Sequence, residues 1–130
     1  MYKAQYKIIL LVVSVLLLFF DLAEGKNQDN YSFTNISIKE GLSNNHVTCV
    51  LEDSRGFLWF ATSEGLNRWD GFQLKLFRND PVNKNSLPGN FILYLEEDSS
   101  GNLWIGTNQD GLSKYDLSTE QFHNYEPQPG

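Results

Sequence analysis

Residues 52–70, EDSRGFLWFATSEGLNRWD, are written a second time at 97–116 as EDSSGNLWIGTNQDGLSKYD. A self-similar unit of about 45 residues, built from short strand-forming runs and turns, has the period of a β-propeller blade. Such a unit cannot bury its apolar face without a neighbour, so the repeat dictates an architecture of stacked units. Two copies are fewer than the roughly four blades that a closed ring needs. The chain therefore reads as the beginning of something longer, an incomplete all-β propeller.

The two copies align position by position. Leu42 pairs with Leu87, Val50 with Leu95, Asp53 with Asp98, Gly56 with Gly101, Trp59 with Trp104 and Thr62 with Thr107. After one extra residue, Asp110, Gly65 meets Gly111, Arg68 meets Lys114, Trp69 meets Tyr115 and Asp70 meets Asp116. Two further residues enter before Leu74 and Phe77 meet Phe122 and Tyr125. Insertions at these places fall in turns, which tolerate changes of length. Apolar runs broken by turn formers give expected strands at 46–51, 57–62, 66–69 and 73–77, and again at 91–96, 102–107, 112–115 and 121–125. Asp53-Ser-Arg-Gly56 and Asp98-Ser-Ser-Gly101 are expected type I turns, with Asp first and Gly last. Each copy is thus a four-stranded antiparallel meander.

The ends and the composition restrict the setting. Lys3 and Lys7 precede Ile8 to Phe20, an apolar run interrupted only by Ser14, and Ala23-Glu-Gly25 supplies small residues for cleavage before Lys26. This is the pattern of a secretory signal peptide, and the run is short of the roughly 20 residues of a membrane span. The protein is expected to be exported and to have no membrane span of its own. The net charge is −6 and there is no basic cluster, which argues against nucleic acid as a partner. The single cysteine, Cys49, excludes an intrachain disulfide and is expected to pack as a small apolar side chain. The expected division is a leader at 1–25, a lead-in at 26–40, one blade at 41–85 and a second at 86–130. Within the lead-in, Phe33-Thr-Asn-Ile36 has the spacing of a fourth strand, and one expectation is that it closes a ring.

GLSNNHVTCVLEDSRGFLWFATSEGLNRWDG and EEDSSGNLWIGTNQDGLSKYD resemble the two-component regulator propeller repeats, over Tyr31 to Gly130. Asp-x-x-Gly-x-Leu-Trp, then Thr, Gly-Leu and an aromatic followed by Asp, occurs twice in register. These repeats form the periplasmic sensor of hybrid two-component systems in glycan-degrading bacteria of the Bacteroides type. The resemblance implies an oligosaccharide ligand and a signal to a histidine kinase that controls polysaccharide-utilisation genes. It also implies more blades, a transmembrane helix, and kinase, receiver and DNA-binding parts. No kinase phosphoacceptor box or nucleotide-binding glycine motif occurs in these 130 residues.

Candidate functional residues are few. Asp53, Gly56, Trp59, Asp98, Gly101 and Trp104 recur in both copies, which points to the repeat's own structure rather than to a ligand. Trp69 and Tyr115 adjoin a turn and, with Asn67, Arg68 and Lys114, are the candidate ligand-facing groups, although a solvated strand end explains the polar ones as well. The aspartate turns supply too few oxygens for calcium, and His46 and His123 lack a cluster for metal or nucleophilic chemistry. Neither a metal, a cofactor nor catalysis is expected. A secreted propeller hydrolase or lyase acting on glycans is the alternative, with a protein-interaction propeller as a third reading. The sialidase Asp-box match fails at Leu51 and Glu96, where Ser or Thr is required. Partners would then be an oligosaccharide through the complete sensor, and further blades of the same propeller or a second copy.

Overall fold

The computed structural model describes residues 32–127; the expected leader and the first part of the lead-in, 26–31, lie outside them. The chain divides into two compact units between Thr34 and Asn35, and every strand among the described residues belongs to the second. That unit contains β1 (Val47–Glu52), β2 (Leu58–Thr62), β3 (Gly65–Trp69) and β4 (Leu74–Phe77) in one sheet, in sequence order. The second sheet contains β5 (Ile92–Glu97), β6 (Asn102–Thr107), β7 (Leu112–Asp116) and β8 (Gln121–Tyr125), again in sequence order. All pairings are antiparallel. Both sheets are the expected meanders, with each strand end within one residue of its expected place.

Local chemistry sets the turns. Gly56 N donates to the Asp53 carbonyl at 2.8 Å and Gly101 N to that of Asp98 at 3.0 Å. Each glycine then sits at positive φ, +84° and +76°, so a type I turn followed by a left-handed residue closes the β1–β2 and β5–β6 hairpins. Gly65 and Gly111 open β3 and its counterpart for a different reason. A Cβ would lie 2.8 Å from the Phe77 carbonyl oxygen in the first sheet and 2.3 Å from that of Tyr125 in the second. The last residue of the fourth strand passes over the glycine, so no other side chain fits. Even the irregularity repeats, between Val47 and Cys49 in β1 and between Ile92 and Tyr94 in β5.

The sheets stack face on face, and burial records it. In β2 the buried apolar positions are Trp59 and Ala61; in β6 they are Leu103 and Ile105, the counterparts of Leu58 and Phe60. Equivalent residues have opposite burial because the first blade buries one face and the second the other. Trp59, Ala61 and Leu66 meet Leu95, Leu103, Ile105 and Tyr115 in one core. Trp59 stacks on Phe77 (5.7 Å between centroids) and meets Tyr115 edge-on (5.6 Å), while Phe77 also contacts Phe122. Burying such large aromatic surfaces, at roughly 25 cal/mol per Å² of apolar area, is the main stabilising contribution between blades. Cys49 lies half-buried against this core. Phe33-Thr-Asn-Ile36 forms no strand pairing among the described residues, and Phe33 is exposed.

Candidate functional site

The recurring Asp-x-x-Gly-x-x-Trp motif is a carboxylate clamp. Asp53 Oδ1 accepts from Arg55 N and Phe57 N, both at 3.0 Å, and its Oδ2 accepts from Trp59 Nε1 at 2.8 Å. Asp98 repeats this with Ser100 N and Asn102 N at 2.9 Å and Trp104 Nε1 at 2.9 Å, and gains the Asn102 amide. The three-residue turn pairs Asp53 with Phe57 and Leu51 with Trp59, so residue i+6 stands diagonally across from the aspartate, within reach of a long side chain. The Asn102 donors, followed by the Trp104 indole, hold the Asp98 carboxyl well below the usual carboxylate range. The clamp fixes the turn and the tryptophan rotamer together, and it leaves the carboxylates committed to donors rather than free for chemistry.

Two further repeated devices share this character. Thr62 Oγ1 donates to the Gly65 carbonyl at 2.9 Å and accepts from Glu64 N, as Thr107 does with Gly111 and Asp110. Asp70 accepts from Phe72 N and Gln73 N; Asp116 accepts from the Ser118 hydroxyl and backbone and from Thr119 N. The Ser118 hydroxyl and these N–H groups bring the Asp116 carboxyl down to about 2.

The five candidate ligand-facing residues do not form one site. Asn67 is fully buried rather than at a solvated strand end, because its side chain bridges Ser43 and the Phe60 carbonyl. Arg68 lies in the interface between blades, 2.9 Å from Glu120 and over the Phe57 ring. Tyr115 is also fully buried there; burial pushes its phenol up to about 12, and its hydroxyl has no hydrogen-bond partner among the described residues. Trp69 and Lys114 are half-buried on opposite outer flanks of the pair.

Sequence reasoning did not single out the link between β4 and β5. With the β6–β7 turn and the end of β8 it forms an open groove of about 580 Å³. Asp80, Asn83, Lys84, Gln109, Asp110 and Glu126 supply its polar lining, and Pro81, Pro88 and Pro127 its apolar patches. The link is held by its own hydrogen bonds. Asn79 Nδ2 donates to the Leu87 carbonyl, Asp80 N to Ser86 Oγ, Phe122 N to Asn85 Oδ1 and Asn124 Nδ2 to the Ser86 carbonyl. The Asp110 carboxylate packs onto Gly89, where any Cβ would collide. A fixed backbone therefore presents amide, carboxylate and ammonium groups to solvent around one concavity. The signal in the sequence was the run NDPVNKNSLPGN, a turn-forming, amide-rich stretch between the two blades.

The same two segments that carry the clamps match a known family model. The two-component regulator propeller model covers residues 41–64 and 86–109. Both blades are similar to two-component regulator propeller repeats over these segments. The chain is 39% identical over 77 residues to histidine kinase P4 of Formosa agariphila, a match spanning 58% of this chain and 6% of that protein. Among solved structures it resembles the extracellular domain described as that of the hybrid two-component system BT3049 of B. thetaiotaomicron. There the identity is 34% and the TM-score 0.68, over 74% of this chain and 14% of that one. A second domain from that organism, of BT4673, is similar at 28% identity and a TM-score of 0.57, over 72% of this chain and 14% of the other. The chain thus spans 6% of the length of histidine kinase P4 and 14% of each of the two solved domains. Among the described residues no helix is long and apolar enough to cross a membrane.

Proposed function

We propose that the chain supplies the opening blades of an exported, periplasmic ligand-sensing propeller. It would bind a glycan-derived oligosaccharide and pass the signal to a histidine kinase that governs polysaccharide-utilisation genes. The division that goes with this reading is a cleaved leader at 1–25, a lead-in at 26–40 and blades at 41–85 and 86–130. The observation that carries the reading is the likeness of both stacked blades to extracellular domains of hybrid two-component systems. The groove supports the choice of ligand. A sugar needs hydrogen-bonding groups that face both its hydroxyl donors and acceptors, with apolar patches for its ring faces. Asp80, Lys84, Gln109 and Asp110 beside Pro81 and Pro88 provide that mixture.

Hydrolysis fits the carboxylates poorly. A glycosidase general acid needs a raised pKa. Among the described residues the displaced carboxylates, Glu40, Asp70, Asp98, Asp116 and Glu120, are all displaced downward. An oligosaccharide array probed with the secreted chain tests the proposal. The expected result is retention of one class of glycan, lost in the double variant Lys84→Ala/Gln109→Ala with an unchanged circular dichroism spectrum. No retention of any glycan, or retention indifferent to both substitutions, would overturn it.

A further inference from the structure

We infer that the groove selects oligosaccharides without acidic groups, taking neutral sugars and rejecting uronates and sulfate esters. The inference rests on the sensor reading above and adds the charge class of the ligand. A difference between the two blades carries it. The residue before the glycine that opens the third strand is acidic in both: Glu64 N donates to Thr62 Oγ1 as Asp110 N does to Thr107 Oγ1. The residue after the fourth strand lies beside that glycine in both. A Cβ at Gly65 would stand 3.2 Å from Arg78 Cγ, and one at Gly111 3.3 Å from Glu126 Cα.

In the first blade the neighbour is therefore basic. Arg78 Nε donates to the Glu64 carbonyl at 2.9 Å, and its guanidinium stands 3.9 Å from the Glu64 carboxylate. In the second blade Glu126 takes the place of the arginine, and neither it nor Asp110 has an ion-pair partner among the described residues. An exposed ion pair contributes little stability, so the exchange costs the fold little. Its effect falls on the groove, which Asp110 and Glu126 line and the Arg78–Glu64 pair does not.

The scaffold also decides which groove atoms are left for a ligand. Asn79 Nδ2 is committed to the Leu87 and Pro88 carbonyls, and Asn124 to the Ser86 carbonyl and the Ser113 hydroxyl. One oxygen of Asp80 accepts from Val82 N. The other oxygen, the Asp110 and Glu126 carboxylates, the Gln109 amide and Lys84 Nζ have no hydrogen-bond partner among the described residues. Three exposed carboxylates thus stand around one exposed ammonium.

Sugar hydroxyls donate to carboxylate oxygens, and Lys84 and Gln109 supply donors for the hydroxyl oxygens in return. A uronate or a sulfate ester replaces a donor with a negative charge. It gains Lys84 and meets three carboxylates in a concavity, where the field of like charges is focused. Acidic sugars are therefore expected to bind about tenfold more weakly or worse, which is about 1.4 kcal/mol. The gap should narrow as salt screens the groove.

The experiment is NMR titration of the secreted chain with digests of several polysaccharides, each split by anion exchange into a neutral and an acidic pool. Saturable shifts at 79–88 and 109–110 are expected from a neutral pool, with acidic pools needing about tenfold more sugar. Glu126→Arg restores the charge arrangement of the first blade and is expected to narrow that ratio, with an unchanged circular dichroism spectrum. Asp110→Asn, which keeps the shape and removes one charge, is expected to move it in the same direction. Groove shifts from an acidic pool at equal or lower concentration overturn the inference and leave the sensor reading standing. So does a ratio that neither substitution changes. Groove shifts from no pool overturn both.

Discussion

Replacing Asp53 by alanine removes the acceptor from three N–H groups at once, and the structure says how much each should matter. The Trp59 indole is fully buried, so its Nε1, now 2.8 Å from Asp53, would be left without a partner and without water. An orphaned buried donor costs about 1–3 kcal/mol. Arg55 N and Phe57 N lose their acceptor too, but they sit at the turn surface where water can replace much of it. The expected total is about 3 kcal/mol, a large part of the roughly 5–15 kcal/mol that holds a domain together. Asp98→Ala removes the same clamp where Trp104 is only half-buried, so its donors find water and the loss is expected to be clearly smaller than for Asp53→Ala. Trp59→Phe deletes the donor instead of orphaning it, and Asp53 keeps its two backbone partners. A double-mutant cycle between Asp53→Ala and Trp59→Phe should therefore show a coupling of about 1–3 kcal/mol. Urea unfolding followed by circular dichroism reads all four free energies. Equal losses for Asp53→Ala and Asp98→Ala, or a coupling near zero, would refute the clamp as the reason for the motif.

Other consequences are independent of the clamp. Gly111→Ala puts a Cβ 2.3 Å from the Tyr125 carbonyl oxygen at a φ of +90° and is expected to cost about 2 kcal/mol or more, read as a lowered urea midpoint. Tyr115→Phe removes a buried hydroxyl that has no partner among the described residues, so it should leave stability unchanged or raise it by up to about 1 kcal/mol. The Tyr115 phenol is raised from 10.0 to about 12, so the neutral form stabilises the fold below pH 10 and that contribution disappears as pH climbs to about 12; Tyr115→Phe should flatten this alkaline limb. Asp116, lowered from 3.8 to about 2, works in the opposite direction. Its contribution is complete above its ordinary pKa and fades as pH falls towards 2, so Asp116→Asn should shallow the acid limb of a pH–stability curve.

The strands were legible because each is short, apolar and closed by a turn whose residues leave few conformations. Asp53, Gly56, Asp98 and Gly101 named two of those turns from the sequence alone, and the structure places them there. The partner of each aspartate was not legible. A period-two reading of β2 and β6 puts Trp59 and Trp104 on a strand face, but only the hairpin's return brings the indole to the carboxylate. Nor could alternation say which face of each blade is buried, since both faces are apolar; stacking order decides that. Asn67 shows the limit most plainly. Its polarity suggested a solvated strand end, yet the Ser43 segment folds over it and satisfies its amide. The groove escaped because its residues fall between repeats, where no second copy marks them.

Amide chemical shifts of the secreted chain, followed by NMR during titration with a polysaccharide digest, test the sensor reading most directly. The account predicts saturable shifts confined to the link at 79–88 and the turn at 109–110, with the clamp turns unmoved. Saturable shifts centred elsewhere, or none with any glycan digest, would contradict it.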